Sequence, residues 1–226
     1  MPSRGQPIPR ESVRALAVAL DAKDPESRLH SDRVARYAYA VGKAIGFDER
    51  DVEPLVAAAM LHDIGVLAVP DSLLQRRDPL MPHELDVVRE HAVIGGCILE
   101  ACGLEGIAPW VRHHHERIDG RGYPDQLAGD AIPIESRIIG VVEALEAITA
   151  HHERRASALD ELEEHKGTQF DSAITDTLIE LIVSGDLERR HEDPPLLELV
   201  VPSRIHDPEW VLRGRRGRSR LSSLPG

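Results

Sequence analysis

The amino-acid sequence predicts an all-α protein, and two observations carry that prediction. The chain of 226 residues holds only two Trp, three Tyr and two Phe, so its core must be built from Ala, Val, Leu and Ile. Small aliphatic side chains suit closely packed helices better than a β-sandwich. Successive segments also repeat their apolar residues at helical spacing, and nothing before about Ser184 requires a sheet.

Seven helices are predicted, and prolines mark where four of them begin. Pro25 suits the first turn of the second helix, while Pro54, Pro82 and Pro133 open the third, fourth and sixth. The first turn of a helix tolerates proline because its N–H groups have no partner within the helix. In chain order, the apolar segments that define the helices are residues 11–20, 31–45, 55–62, 82–102, 107–116, 133–148 and 170–183.

Apolar faces support each helix in turn. The first two are amphipathic, and the alanine-rich third is predicted to be buried and to end near Gly65. In the fourth helix His91 follows Val88 by three residues, so its ring is expected to face inward. The fifth is short, the sixth is strongly apolar, and the seventh places Ile174 and Leu178 on its inner face.

The domain organisation follows from these helices. We predict an N-terminal extension at residues 1–10, a single helical domain at residues 11–185 and a C-terminal tail at residues 186–226. The glycine-rich stretch IDGRGYPDQLAGD between the fifth and sixth helices is predicted to be a loop. The tail carries five arginines within residues 213–220, which is typical of a disordered end but also compatible with an acidic or nucleic-acid partner.

Composition excludes several classes of protein. The net charge of −12 argues against a nucleic-acid partner for the whole chain and against binding to an anionic membrane surface. No apolar run approaches the roughly 18 residues of a membrane span, and residues 1–10 lack the apolar core of a secretory signal. Only two cysteines are present, too few for a disulfide framework. These features predict a cytoplasmic protein.

Histidines suggest a metal site. Seven of the twelve fall between residues 30 and 115, close to carboxylates. Glu26 and His30 share a helix face at i and i+4, a weak signal alone because such pairs are often solvated. Asp63 follows an apolar helix, so it is either paired or metal-bound, or it is a solvated residue at a helix end. His91 is either a ligand or a core histidine bonded to a carbonyl oxygen.

The set of residues is more informative than each pair. Helices of one bundle can project histidines and carboxylates into a shared centre. His113, His114 and His115 follow one another at a helix end, where all three are unlikely to be solvated. Imidazole and carboxylate ligands without thiolate indicate iron, manganese or zinc.

Five ordered motifs carry a family resemblance over roughly residues 11–183. They are HSDRV, LHDIG, EHAVIG, HHERIDGRGYP and RIIGVVEALEAIT, with GTQFD further downstream. In this order, and with Gly122, Tyr123 and Pro124 intact, the sequence strongly resembles the HD-GYP branch of the HD metal-dependent phosphohydrolases. The resemblance implies a helical bundle that holds two or three divalent ions, iron or manganese, and that hydrolyses cyclic di-GMP to the linear dinucleotide or to GMP.

The resemblance also assigns roles to residues. It implies a catalytic pair, His62 and Asp63, with Asp63 bridging two metals, and hydrolysis by a metal-activated hydroxide that attacks phosphorus in line. Arg117 and Tyr123 would contact the substrate or hold the structure of the GYP loop (Gly122, Tyr123 and Pro124), which is also a candidate surface for a protein partner. The implied metal ligands are Glu26, His30, His62, Asp63, His91, His114, His115 and Glu143.

Three positions depart from the family pattern. Val66 replaces a lysine expected to meet a substrate phosphate. Glu143 replaces an aspartate ligand, and it could instead form a solvated acidic face with Glu146. His152 replaces a phosphate-binding arginine, although Arg155 keeps a second basic position.

Three functions remain open from the sequence. The first is a cyclic di-GMP phosphodiesterase. The second, favoured by the three departures, is a weak or inactive domain that senses a cyclic dinucleotide or binds a protein partner. The third, a phosphohydrolase of mononucleotides or alarmones, is disfavoured by the GYP loop.

Overall fold

The computed structural model describes residues 8–23, 27–76, 78–151 and 155–189. In these ranges the helices are α1 (Arg10–Lys23), α2 (Ser27–Ala44), α3 (Glu49–Met60), α4 (Asp71–Leu74), α5 (Pro82–Ala101), α6 (Ala108–Arg112), α7 (Ile134–His151), α8 (Arg155–His165), α9 (Ser172–Ser184) and α10 (Asp186–Arg189). Short 3-10 helices cover Ile64–Ala68 and Gly129–Ala131. The described ranges contain no strand, only an isolated bridge between Lys166 and Phe170. The predicted all-α class is confirmed.

Helix α3 begins earlier than predicted. The Asp48 carboxylate accepts hydrogen bonds from the backbone N–H groups of Arg50, at 2.7 Å, and Asp51, at 3.0 Å. These first-turn groups have no partner within the helix, so an aspartate cap fixes the start. The prediction that Pro54 opens this helix was wrong, because Pro54 lies inside it. The helix ends at Met60, which leaves Asp63 in the turn that follows.

Other boundaries also differ from the prediction. The fifth predicted helix, α6, ends at Arg112 rather than near residue 116, so His113, His114 and His115 occupy a turn. Helices α4 and α8 were not predicted, nor was α10, which begins one residue beyond the predicted end of the domain. Leu187 of α10 is buried against the core.

The core is aliphatic, as the composition predicted. Helix α2 packs against α3, α7 and α9, while α5 packs against α6 and the 3-10 helix at Ile64–Ala68. Phe170 is the one aromatic side chain in the buried core of the described ranges. Burial of this aliphatic surface is the main favourable contribution to folding, and it fixes the helix ends from which the polar residues project.

Gly65 lets the 3-10 helix approach α5 closely. A Cβ atom built at this position would lie 1.9 Å from the carbonyl oxygen of His91 and 2.7 Å from the backbone nitrogen of Gly95. No side chain fits such a space. Gly65, two residues after Asp63, therefore allows His62 and Asp63 to lie beside His91.

Several predicted features lie outside the described residues. They are the first seven residues of the N-terminal extension, Glu26, His152 and the tail from residue 190 onward, together with the side chain of Arg155. Among the helices that the structure describes, none has the length and apolar character needed to cross a membrane.

Candidate metal centre

Helix ends bring the predicted ligands together. His62 and Asp63 come from the turn after α3, and His114 and His115 from the turn after α6. Three helices contribute one side chain each, with His30 on α2, His91 on α5 and Glu143 on α7. The structure therefore gathers all of the predicted ligands whose side chains it describes.

The ligand atoms form two groups of three. One group comprises His30, His62 and Asp63, and the other comprises His91, His114 and His115. Within each group one ligand atom per residue lies within 4.8 Å of the others. Two metal ions side by side would each find three protein ligands in this arrangement.

Asp63 belongs to the first group and also faces the second. Its Oδ2 atom is 3.2 Å from Nε2 of His62, and its Oδ1 atom is 3.6 Å from Nε2 of His91. The two carboxylate oxygens thus face different groups. The solvated position at a helix end that the sequence left open does not apply, because the carboxylate is enclosed by imidazoles and only 23% exposed.

Backbone carbonyls orient three of the rings. Nδ1 of His62 donates to the carbonyl oxygen of Ala59 at 2.8 Å, and Nδ1 of His91 donates to that of Val88 at 2.7 Å. His114 donates in the same way to Val111. Because a carbonyl oxygen only accepts, Nδ1 must carry the proton, and in the neutral ring the lone pair is on Nε2. His91 therefore makes the carbonyl hydrogen bond expected of a core histidine, and that bond leaves its Nε2 atom free to serve as a metal ligand.

The Nε2 atoms converge on one another. The Nε2 atom of His30 is 3.3 Å from that of His62, and the Nε2 atom of His91 is 3.2 Å from that of His115. Two lone pairs facing at such distances repel unless a cation or a proton lies between them. The donor set therefore fits divalent metal ions, with nitrogen and oxygen ligands and no thiolate.

Glu146 orients His30 from behind. Its Oε2 atom accepts a hydrogen bond from Nδ1 of His30, and its Oε1 atom accepts one from Nε of Arg33 at 2.7 Å. Glu146 is 3% exposed, so the proposed solvated acidic face is wrong for this residue. The sequence analysis missed this role. The available signal was a carboxylate on a strongly apolar helix, since a buried carboxylate requires partners.

Glu143 approaches the second group of ligands. Its Oε2 atom lies 3.9 Å from Nε2 of His114 and 4.0 Å from Nδ1 of His115. Burial and the nearby negative charge of Asp63 raise the pKa of Glu143 to about 7, against the opposing effect of His62. Glu143, which is one methylene longer than the aspartate of the family pattern, thus still places its carboxylate beside the candidate ligands.

Burial and neighbouring charges shift the pKa values of the histidines in the centre. Burial lowers the pKa of His62, but the Asp63 carboxylate outweighs burial and raises the value to about 9. Burial and the charge of His91 lower the pKa of His115 to about 3. Burial thus favours the neutral form of His115, which is the form that binds metal, whereas the Asp63 carboxylate favours the protonated form of His62.

The GYP loop covers one side of this centre. The Tyr123 ring stacks on the His115 ring with 4.7 Å between their centroids, and burial raises the pKa of its phenol. A Cβ atom at Gly122 would lie 2.4 Å from the backbone nitrogen of Arg117, so only glycine fits there. The loop is ordered against the ligands.

Glu116 and Arg117 hold the loop in place. The buried Glu116 carboxylate accepts from the backbone N–H groups of Asp125, at 2.7 Å, and Leu127, at 3.1 Å. The Arg117 guanidinium donates to Asp119 and, at 2.7 Å, to the side-chain oxygen of Gln169. Of the two roles that the sequence left open for Arg117, these contacts match support of the loop. The role of Glu116 was not predicted.

Neighbouring positions fall outside the centre. His113 faces Asp125, with Nε2 2.9 Å from a carboxylate oxygen, and so is not among the ligands. Val66 is half-buried in the 3-10 helix and supplies no charge.

Comparisons with known proteins agree with this geometry. Residues 14–174 match the HD domain family. The cyclic di-GMP phosphodiesterase response regulator RpfG of Xanthomonas campestris is 34% identical over 178 residues, which cover 75% of this chain and 47% of that protein. The 3'3'-cGAMP-specific phosphodiesterase 2 of Vibrio cholerae is 32% identical over 179 residues, which cover 76% of this chain and 34% of that protein. The chain thus spans less than half the length of these two curated relatives.

The fold resembles a solved structure as well. It matches Bd1817, a HDG"Y"P protein from Bdellovibrio bacteriovorus, with a TM-score of 0.59 and 20% identity, over 69% of this chain and 52% of that chain. At this identity the match concerns the fold alone. The predicted resemblance is confirmed by the family match and by the relatives together, and the chain belongs to the HD-domain family, in its HD-GYP branch.

Proposed function

We propose that this chain is a metal-dependent phosphodiesterase that hydrolyses cyclic di-GMP, or a related cyclic dinucleotide, to a linear dinucleotide or mononucleotide. The observation that carries the proposal is the position of Asp63, which belongs to one group of three ligands and directs its second carboxylate oxygen toward the other group. The names of the relatives, which act on cyclic di-GMP and on 3'3'-cGAMP, support the substrate class.

The centre is proposed to hold two ions, iron or manganese. Ligand atoms fall into two groups, and His30 has one nitrogen left for metal because Glu146 occupies the other. Nitrogen and oxygen ligands without sulfur suit Fe(II) and Mn(II). Glu26, proposed as a ligand for a third ion, lies outside the described residues.

The mechanism assigns separate roles to the chain's residues. Bound divalent ions would lower the pKa of a water molecule and neutralise charge on the phosphoryl oxygens. Asp63 holds the two groups of ligands in register. His62, oriented by Ala59, and His91, oriented by Val88, keep their Nε2 atoms aimed at the centre. Glu143 closes one side of the centre.

Substrate enters where the ligands are exposed. The side chains of His30, Asp63 and His115 are each 22 to 24% exposed, whereas those of His62 and His114 are fully buried. Tyr123 flanks this opening through its contact with His115. We propose that Arg155 and His152 lie near the substrate, as the family pattern implies. A protein partner at the GYP loop stays a prediction, and so does a cytoplasmic location.

A weak or inactive domain that senses a cyclic dinucleotide is the second candidate. Val66 favours it, because no charge is supplied at that position in the 3-10 helix. Glu143 argues against an inactive domain. Although it is one methylene longer than the aspartate of the family pattern, its carboxylate lies within 4.0 Å of two histidines.

One experiment separates the two. The purified protein is loaded with Fe(II) or Mn(II) without oxygen and incubated with cyclic di-GMP, and the products are separated by chromatography beside an Asp63→Ala variant. Linear dinucleotide or GMP from the wild type alone supports the enzyme. A metal-loaded, folded wild type that yields no product overturns the phosphodiesterase and supports the sensor.

A further inference from the structure

A cation lies at the mouth of the centre outside the predicted set of residues. Arg89 is on α5, two residues before His91, and its guanidinium carbon lies over the Tyr123 ring at 5.4 Å from the centroid. The same ring stacks on His115 at 4.7 Å. Two short contacts therefore connect Arg89 to a proposed metal ligand on the exposed side of the centre.

The guanidinium of Arg89 is available for a ligand. Its side chain is 53% exposed and forms a 3.3 Å ion pair with Asp86, which is itself 72% exposed. Ion pairs between exposed groups contribute little and are readily exchanged for a better anion. The Tyr123 face fixes the position of the cation without using its N–H donors.

Two other arginines near the centre are already bound to the protein. Arg33 donates to the buried Glu146 carboxylate, and Arg117 donates to Asp119 and Gln169. Their donors are committed to structure. Arg89 thus differs from both in having a weakly held, planar set of donors next to Tyr123, and such a set of donors suits a phosphate group.

We propose that Arg89 is a substrate-binding residue that holds the second phosphodiester of a cyclic dinucleotide while the first is cleaved at the centre. The inference rests on the proposed function. A cyclic dinucleotide carries two singly charged phosphodiesters, and a cation that contacts Tyr123, the neighbour of His115, can meet the one that does not react. Arg89 then determines the preference for ligands with two phosphates.

The test compares a substrate with two phosphodiesters and a substrate with one. The metal-loaded wild type, Arg89→Ala and Arg89→Lys are assayed with cyclic di-GMP and with bis(p-nitrophenyl) phosphate. Arg50→Ala is the matched control, because Arg50 is an exposed arginine at the far end of α3 from His62, roughly 18 Å away by helix length.

We expect Arg89→Ala to raise KM for cyclic di-GMP by roughly three- to tenfold, since a charged hydrogen bond at a half-exposed site is partly screened. The kcat for cyclic di-GMP and both constants for bis(p-nitrophenyl) phosphate stay unchanged, Arg89→Lys lies between, and Arg50→Ala matches the wild type. An unchanged KM for cyclic di-GMP, or an equal loss with both substrates, overturns the role of Arg89 alone. A wild type that does not hydrolyse cyclic di-GMP overturns the proposed function, and the inference with it.

Discussion

His30 and Glu146 lie 116 residues apart in the sequence, yet Nδ1 of His30 donates a hydrogen bond to the Glu146 carboxylate. Burial alone would raise the pKa of Glu146, but the hydrogen bonds from His30 and Arg33 hold it below its usual value. The carboxylate is therefore charged, and it directs the remaining nitrogen of His30 toward His62. Helix α7 thus supports a ligand on α2 through Glu146, while Glu143 of the same helix reaches the centre directly.

Replacement of this carboxylate should weaken metal binding. In Glu146→Gln the charge that orients His30 is lost, and we expect the metal dissociation constant to rise about 10- to 100-fold. Isothermal titration calorimetry of the metal-free protein with Mn(II) measures this dissociation constant. Glu180→Gln, an exposed position on α9, is the control. Equal affinity in the wild type and Glu146→Gln would rule out the orienting role.

Asp63 is expected to determine how many ions bind. Asp63→Asn keeps the shape of the side chain but removes the charge shared by the two groups of ligands. We expect the metal content to fall from two ions per chain to one or none, as measured by elemental analysis after gel filtration. Asp160→Asn, at an exposed position on α8, should keep the wild-type content. Two ions retained by Asp63→Asn would contradict a bridging carboxylate.

Gly65 is expected to tolerate no side chain. Gly65→Ala places a Cβ atom 1.9 Å from the His91 carbonyl oxygen, so α5 must move away from the 3-10 helix. We expect a loss of about 3 kcal/mol in the free energy of unfolding, measured with urea in the presence of a chelator. Gly106→Ala is the control because no atom lies within 4 Å of its Cβ position. Similar stabilities of the two variants would refute the steric argument.

Glu116 is expected to keep the GYP loop closed. Glu116→Gln leaves one of the two backbone N–H groups, that of Asp125 or that of Leu127, facing an amide N–H group instead of an acceptor. The local cost is about 1–3 kcal/mol, and we expect faster tryptic cleavage after Arg121 in the loop. Glu105→Gln, on an exposed turn, should be cleaved at the wild-type rate. An unchanged rate in Glu116→Gln would argue that other contacts hold the loop.

Local patterns predicted most helices and the grouping of the ligands. Period and proline placement located α5 correctly, since Pro82 is at its start and its apolar residues repeat regularly. Pro54 gave the wrong start for α3, because the helix is capped by Asp48, six residues earlier. The sequence alone does not show whether the aspartate or the proline marks the start.

Long-range partners explain the rest of what was missed. Whether Glu146 is solvated or bonded to Arg33 depends on which face of α7 meets α2, and that is decided by tertiary packing. The same holds for Glu116, whose partners are backbone groups of a loop that has no periodic pattern. The motifs of the family resemblance predicted the candidate ligands, while the residues that orient them could be found only from the fold.

The backbone bonds that aim the rings of His62, His91 and His114 have an evolutionary consequence. Each acceptor is a main-chain carbonyl three positions earlier, and every amino acid supplies one. Substitutions at Ala59, Val88 and Val111 that preserve packing would therefore leave the orientation of the three rings unchanged. Relatives can diverge widely around the centre while keeping its ligands aligned, because the path of the chain, and not the identity of these neighbours, is what must be inherited.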